Sequence, residues 1–315
     1  MSNAHDYLAD IERLGAERFA ATGLAAGHSH VTRRVRTHRA VKASATVVAS
    51  IGVVGGGSWG ALMAFGSSTD EGVPGATASG SAIPTPPTDA ATLTFTEVSF
   101  TTGDTLDAWV ADTAIVLGMD EHALLGAIAT AAPGDAYPEG WIKPGSYTLA
   151  PDASPEETAR SLVAQRVAQL ETLGVPRDQW QEVLTQASLV EAETPLASDM
   201  PKVARVIQNR LNQGIYLQLD STVKYAVGDN GGVFLTIEDR ETDSPYNTYL
   251  YAGLPPSAVR SPSDAAIDAV LNPAEGDWLY FVTANLSTGE TLFATTYGEH
   301  LTDVEQLRAW VAAQE

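Results

Sequence analysis

From Ala43 to Thr69 no residue carries an ionisable side chain, and this stretch divides the chain into two parts of opposite charge. Residues 1–42 hold seven Lys or Arg against four acids, a net of +3, while the remainder holds eleven against 35, a net of −24. The formal total of −21 over 315 residues therefore describes neither part. Within the uncharged stretch, Ala43 to Gly66 reads ASATVVASIGVVGGGSWGALMAFG. As a helix it would extend roughly 36 Å, enough to cross the ~30 Å hydrocarbon core of a bilayer. Gly55, Gly56 and Gly57 lower its hydropathy, but glycine is commoner in membrane helices than in soluble ones. A cleaved signal peptide would carry an apolar region of only about 7 to 15 residues. Arg33, Arg34, Arg36, Arg39 and Lys42 lie immediately before the run, the bias expected of an uncleaved single-pass anchor with its N-terminus in the cytoplasm. Residues 1–42 then read as a cytoplasmic basic tail and 43–66 as a transmembrane helix, with the acidic bulk of the chain outside the cytoplasm at the cell membrane.

Several function classes drop out on composition. An acidic balance of this size lacks the clustered cations that a phosphate backbone requires, so no nucleic-acid partner is expected. The chain has no cysteine, which excludes disulfide scaffolds, thiolate nucleophiles and Cys-ligated metal centres. Six histidines are present without an HExxH or other ligand spacing, so no metal site and no cofactor is proposed from sequence. Residues 67–91 are built almost wholly from Ser, Thr, Gly, Pro and Ala. Such a segment has little to bury and reads as a flexible linker.

Beyond the linker the pattern becomes that of an α+β fold in two parts. Residues 92–151 open on the alternating run LTFTEVSF, a strand signature. Asp104 or Thr105 can cap a helix carrying Leu106, Trp109, Val110 and Thr113, Gly118 stops it, and Asp120 starts a second helix. Trp141 to Leu149 returns as extended chain, giving the order strand, helix, helix, strand. The run TTGDTLDAWVADTAIVLGMDEHALLGAI resembles a LysM module, and that resemblance implies contact with N-acetylglucosamine-containing polymers. Residues 152–315 form a mixed α+β second part. It begins with a helix capped by Ser154-Pro155-Glu156-Glu157. A further helix starting near Arg177 carries Trp180, Val183, Leu184, Ala187 and Val190, and Pro195 biases Thr194 out of the α region, so this helix should finish near Glu193.

Two glutamates occupy its last turn. Residues i and i+2 lie about 200° apart on a helix, so Glu191 and Glu193 cannot share a face. Periodicity places Glu191 beside the apolar stripe and Glu193 with Leu189 on the other side, which by itself makes Glu191 the more buried of the two. The wider context points to Glu193. The run ASLVEAETPLASDMPKVARVIQNRLNQGIYLQLDSTVKYAVG, then SPYNTYLYAGLPPSAVRSPSDAAIDAVLNPAEGDWLYFV, then Glu299-His300, resembles the catalytic domain of the endolytic murein transglycosylases, the MltG or YceG-like family. Matching blocks spread over about 120 residues: Asn209-Arg210-Leu211, Leu217-Gln218-x-Asp220, Tyr246-Asn247-Thr248-Tyr249, Gly253-Leu254-Pro255-Pro256 and Asn272-Pro273-Ala274. The order of anchor, LysM-like part and catalytic part also matches that family. Two departures are Ala192, where many members have Lys, and Ser221, where they have Pro.

The resemblance implies that the second Glu of the E-x-E-T motif, Glu193, is the catalytic acid, with Glu191 a supporting carboxylate. It further implies cleavage of the MurNAc-GlcNAc bond within peptidoglycan glycan strands, leaving 1,6-anhydro ends and limiting strand elongation, with peptidoglycan synthases as partners. Gln218, Asp220, Tyr246 and Asn247 are the supporting or substrate-binding candidates, since amide, carboxylate and phenol groups suit N-acetyl and hydroxyl recognition. Each also has a structural reading: Asn247 can fix a turn, and Asp220 can cap the helix that follows it. Arg210 reads as a helix-end ion pair, and His300 either as a donor supporting the site or, more commonly for such a residue, as an exposed histidine. A competing reading from another class is a non-catalytic peptidoglycan-binding membrane scaffold for cell-wall synthesis or division proteins.

Overall fold

A computed structural model of the chain describes residues 95–102, 104–133, 137–228 and 235–314. The basic tail, the membrane span and the linker expected across residues 1–91 lie outside these. Among the described residues no helix is long and apolar enough to cross a membrane.

Alternation in the first strand translates directly into pairing. Strand β1 (Thr96–Phe100) runs antiparallel to β2 (Gly145–Leu149), with Val98 opposite Tyr147 and Phe100 opposite Gly145. Val98, Phe100, Tyr147 and Leu149 are buried while Glu97, Ser99 and Thr148 face solvent, the period of two that a one-sided sheet demands. Between them in sequence come helices α1 (Leu106–Leu117) and α2 (Glu121–Ala131). Gly118 ends α1 at φ 65°, a left-handed cap that glycine adopts without strain, and Asp120 caps α2 by accepting the Ala123 N–H. Trp109 fastens α1 to the sheet: its indole N–H donates to Ser99 O at 2.8 Å and its ring lies 5.0 Å from Phe100.

The second part is mainly helical. Helix α3 (Pro155–Thr172) opens on a complete capping box between Ser154 and Glu157. A single 3-10 turn (Arg177–Gln179) leads into α4 (Trp180–Glu193), and α5 (Met200–Gln213) ends on left-handed Gly214. Helices α6 (Asp220–Val227), α7 (Ile237–Arg240) and α8 (Asp264–Leu271) follow. The chain closes with a β3 (Tyr280–Asn285) and β4 (Glu290–Ala294) hairpin, covered by α9 (Tyr297–Ala312). Helix α8 packs on both α4 and α5, and α2 packs on α3. Among the described residues the architecture is mixed α+β, with two separate two-stranded sheets.

One hydrophobic core runs through both parts, from Phe100 and Leu106 through Trp141 and Ile142 to Leu184, Leu189 and Ile207. Trp141 is central: it is fully buried, stands edge-on to Trp180 at 6.1 Å, and donates to Gln181 Oε1. Beside it, Gly140 has φ +86° and its backbone approaches Ala258 so closely that a Cβ there would lie 2.8 Å from the Ala258 Cβ. Arg166 of α3 is completely buried. Its guanidinium donates to the carbonyls of Gly140, Ile142 and Pro262, to Ser261 Oγ and to Gln169 Oε1. Burial pushes its pKa down to about 10, still well above neutrality.

Gly140→Ala combines a strained φ with overpacking against Ala258. It is expected to lower stability by about 2 kcal/mol or more, measured by denaturant unfolding of the full chain.

Candidate active site

The position of Glu193 follows from Pro195. Because the residue before a proline avoids the α region, Thr194 is extended at φ −147° and ψ 132°, and α4 stops with Glu193 as its final residue. The two glutamates diverge as the helical angle requires. Glu191 Oε2 accepts the N–H of Ser263 at 3.0 Å, and Ser263 in turn caps α8 through its hydroxyl. Glu191 therefore fastens α4 to the start of α8. Glu193 goes elsewhere: its Oε1 accepts the Ser221 hydroxyl at 2.6 Å, from the second residue of α6.

Glu193 is half-buried. Burial pushes its carboxyl up to about 7, against the pull of the Ser221 hydroxyl; the neighbouring Asp220 carboxylate adds to the rise and the Arg260 guanidinium opposes it. The result is a carboxylic acid that holds its proton close to neutrality, the state a proton donor needs.

Asp220 does not cap α6. Leu219 occupies the cap position, and the Asp220 carboxylate turns to Tyr249, whose hydroxyl donates to it at 2.5 Å, and to Arg240, whose Nε lies 3.6 Å away. Arg240 also lies over the Tyr249 ring, 5.6 Å from its centre. Asp220 thus lies beside Glu193 with its Oδ1 shared between Tyr249 and Arg240.

Asn247 is fully buried, and its amide is used internally. Its Nδ2 donates to Arg240 O and Thr242 O, each at 2.9 Å, and its Oδ1 accepts the Tyr249 N–H at 3.0 Å. Both of its amide hydrogens and one acceptor site are thus spent within the protein, where they hold the turn that brings Tyr249 to Asp220. Gln218 is the one non-glycine residue with positive φ, 51°, among the described residues. Its loop is pinned to Thr248, with Gln218 N–H donating to Thr248 O at 3.1 Å and Leu219 N–H to Thr248 Oγ1 at 3.0 Å. A strained backbone held this firmly between buried Leu217 and Leu219 marks a position whose geometry matters beyond local folding. Tyr246 is half-buried, shares a hydrogen bond with Ser257 Oγ at 2.7 Å, and lies 4.9 Å from the Tyr225 ring and 6.4 Å from the exposed Tyr137. These three rings make an aromatic surface of the kind that suits sugar faces.

Arg210 and His300 depart from their expected roles. Arg210 donates to the carbonyls of Leu279, Tyr216 and Leu217 and lies over the Tyr280 ring, so it clamps backbone rather than pairing with an acid. His300 is half-buried and stacked on Tyr280 at 5.2 Å; burial, with Arg210 nearby, pushes its pKa down to about 4 and keeps it neutral. Two further residues act on Glu193: Ser221, visible in sequence as a departure from the family pattern, and Arg260, which carries no local signal, since only the fold brings it here.

Comparison with known proteins now adds to the geometry. The YceG-like family model matches residues 83–306. A protein of Bacillus subtilis named endolytic murein transglycosylase is 36% identical over 167 residues, covering 51% of this chain and 46% of that protein. A Streptococcus pneumoniae protein of the same name is 33% identical over 174 residues, covering 51% of this chain and 31% of its own length. The chain thus spans less than half the length of either relative. The crystal structure of a yceG-like protein of Listeria monocytogenes superposes with a TM-score of 0.59 at 28% identity, covering 65% of this chain and 75% of that one.

The raised carboxyl of Glu193 has a thermodynamic signature. Between its ordinary value of 4.5 and about 7, the folded chain keeps a proton here that the unfolded chain has released, so this group's contribution to stability falls as pH rises across that interval. Glu193→Gln is accordingly expected to be more stable than the parent by about 2 kcal/mol at pH near 8, the difference closing toward pH near 4, as read by denaturant unfolding.

Proposed function

The chain belongs to the YceG-like family, and on that premise we propose that it is an endolytic lytic transglycosylase that cleaves the MurNAc-GlcNAc bond within peptidoglycan glycan strands. The observation that carries the proposal is Glu193: a half-buried carboxyl at the end of α4, raised to about 7 and held by the Ser221 hydroxyl. The activity by which the Bacillus subtilis and Streptococcus pneumoniae relatives are named supports it.

Cleaving a glycosidic bond requires a proton on a poor alkoxide leaving group while positive charge develops at C1. Glu193 supplies the proton to the bridging oxygen, the C1–O bond breaks, and Glu193 is left as a carboxylate. That carboxylate then takes the proton of the 6-hydroxyl of the same N-acetylmuramic acid as its oxygen bonds to C1. The product is a 1,6-anhydro end, the acid is regenerated, and no water is consumed. Ordinary glycosidases need a second carboxylate to attack or to activate water. Here the neighbouring acid, Asp220, has Tyr249 and Arg240 on its carboxylate, which favours the intramolecular route.

Around this chemistry we place an anchor and a glycan-gripping part. Residues 43–66 form a single membrane span with residues 1–42 in the cytoplasm, so the site works on the outer side within the linker's reach. The LysM-like part, residues 92–151, contacts N-acetylglucosamine units of the strand. Strand cutting close to the membrane limits nascent strand elongation, and peptidoglycan synthases are the partner class that supplies such strands.

The full chain incubated with glycan strands is expected to produce anhydro-muramic ends by mass spectrometry, with Glu193→Gln reducing turnover by about a thousandfold. Reducing muramic ends in their place would mean hydrolysis and overturn the mechanism; unchanged turnover in the variant would overturn the assignment of Glu193.

A further inference from the structure

Three charged side chains of this region carry buried polar atoms without a hydrogen-bond partner among the described residues: Glu139 at Oε1, Arg260 at Nε, and Arg240 at Nε and Nη2, the last ion-paired with Asp220. Glu139 is 4% exposed, and its other oxygen, Oε2, accepts the N–H of Leu106 at the start of α1, at 3.0 Å. Glu139 and Arg260 lie on segments in direct contact, since Gly140 meets Ala258 at the distance that excludes a side chain. Both segments rest on α4. The Cβ position at Gly140 is 3.8 Å from Leu184 Cβ, and Val259 N–H donates to Ser188 Oγ at 3.0 Å, five residues before Glu193.

The other cations of the region are committed. Arg166 is enclosed by carbonyls, Arg210 clamps three backbone carbonyls, and Arg240 pairs with Asp220. Arg260 differs: its charge acts on both the Glu193 and the Glu139 carboxyls, lowering each, while its buried Nε is hydrogen-bonded to neither. The other charges acting on Glu193 come from Asp220 on α6 and, across α5, from Arg210. Those acting with Glu139 are Asp107 on α1 and the Tyr225 and Tyr246 phenols. None of these supplies a movable positive charge. A guanidinium whose buried Nε has no hydrogen bond, and whose charge acts on both the half-buried Glu193 and the buried Glu139, is unfavourable at rest and gains a partner once one acid ionises.

We propose that Arg260 is a counter-ion shared between Glu193 and Glu139, a positioning residue that stabilises the Glu193 carboxylate left after its proton passes to the glycosidic oxygen. Glu139 keeps the guanidinium within reach between turnovers. When the carboxylate takes back a proton from the sugar 6-hydroxyl, Arg260 is released toward Glu139 again. No bond to Arg260 or Glu139 is made or broken, and no further reactant is needed. The proposal rests on the reading of Glu193 as acid and then base, and it adds two residues to that reading, neither of which is expected to touch the reacting atoms.

The test is a titration of Glu193 by carbon-13 NMR in glutamate-labelled full chain kept in mild detergent, its signal assigned by loss in Glu193→Gln, beside a pH–rate profile on glycan strands. Arg260→Gln is expected to move the Glu193 titration up by about half a pH unit or more. The alkaline limb of kcat moves with it, kcat falls about tenfold, and KM stays within about twofold. Arg260→Lys restores both readings. Glu139→Gln, which keeps an acceptor for Leu106 N–H, moves the titration down. An Arg260→Gln variant with reduced kcat and an unmoved Glu193 titration would mean a merely structural arginine and overturn the proposal. Should that variant not fold, Arg260→Lys and Glu139→Gln decide it, and an unmoved titration in Glu139→Gln overturns the sharing. A wild-type chain that cleaves no strand while its variants titrate as stated would overturn the transglycosylase reading and leave the coupling standing.

Discussion

A buried guanidinium with only neutral partners organises the fold. Arg166 has no access to water and no carboxylate hydrogen-bonded to it, yet it remains charged, because backbone carbonyls and two side-chain oxygens replace its hydration shell and the nearby Asp264 carboxylate favours the charge. Those acceptors come from three places: the chain leading into β2, the body of α3, and the loop before α8. Removing the guanidinium would orphan several carbonyls together, each an unfavourable group at about 1–3 kcal/mol. Two of the acceptors, Gly140 and Ser261, directly follow Glu139 and Arg260 in sequence. The interaction that joins the two parts of the molecule therefore also locates the side chains beside the acid.

The acid itself is kept neutral by arrangement rather than by isolation. Glu193 has cations around it, but Arg210 spends its donors on carbonyls and Arg240 is ion-paired with Asp220, so burial wins and the carboxyl stays near 7. Ala192 contributes no charge next to it. The Ser221 hydroxyl acts in the opposite sense, favouring the ionised form and orienting the group. A donor that must also become an acceptor benefits from such balance, since a proton held too tightly or too loosely slows one of the two steps.

What sequence could supply was local. The end of α4 at Glu193 follows from Pro195, the start of α3 from Ser154 and Glu157, and the end of α5 from Gly214, because each depends on residues within one turn. The divergence of Glu191 and Glu193 follows from helical angle alone, and the structure sends one to Ser263 and the other to Ser221. The rest depended on distant pairs. Arg166 interrupts the buried stripe of α3 between Val163 and Leu170, and its partners are 24 to 96 residues away apart from Gln169. Asn247 has the chemistry of a sugar ligand, and only its complete burial reveals that its amide is spent on Arg240, Thr242 and Tyr249. Asp220 stands where a helix cap would be plausible, and a tertiary pairing with Tyr249 and Arg240 outcompeted it.

The contact of Gly140 with Ala258 reaches beyond stability. Gly140 tolerates no larger residue unless the Ala258 segment retreats, and the charged residues flanking this contact, Glu139 and Arg260, act on one another. The two parts of the molecule are therefore a single unit of inheritance: an N-terminal part exchanged from a divergent relative would bring a segment shaped for another partner. Diversification is left to positions away from this seam, where a substitution on one side need not wait for its counterpart on the other.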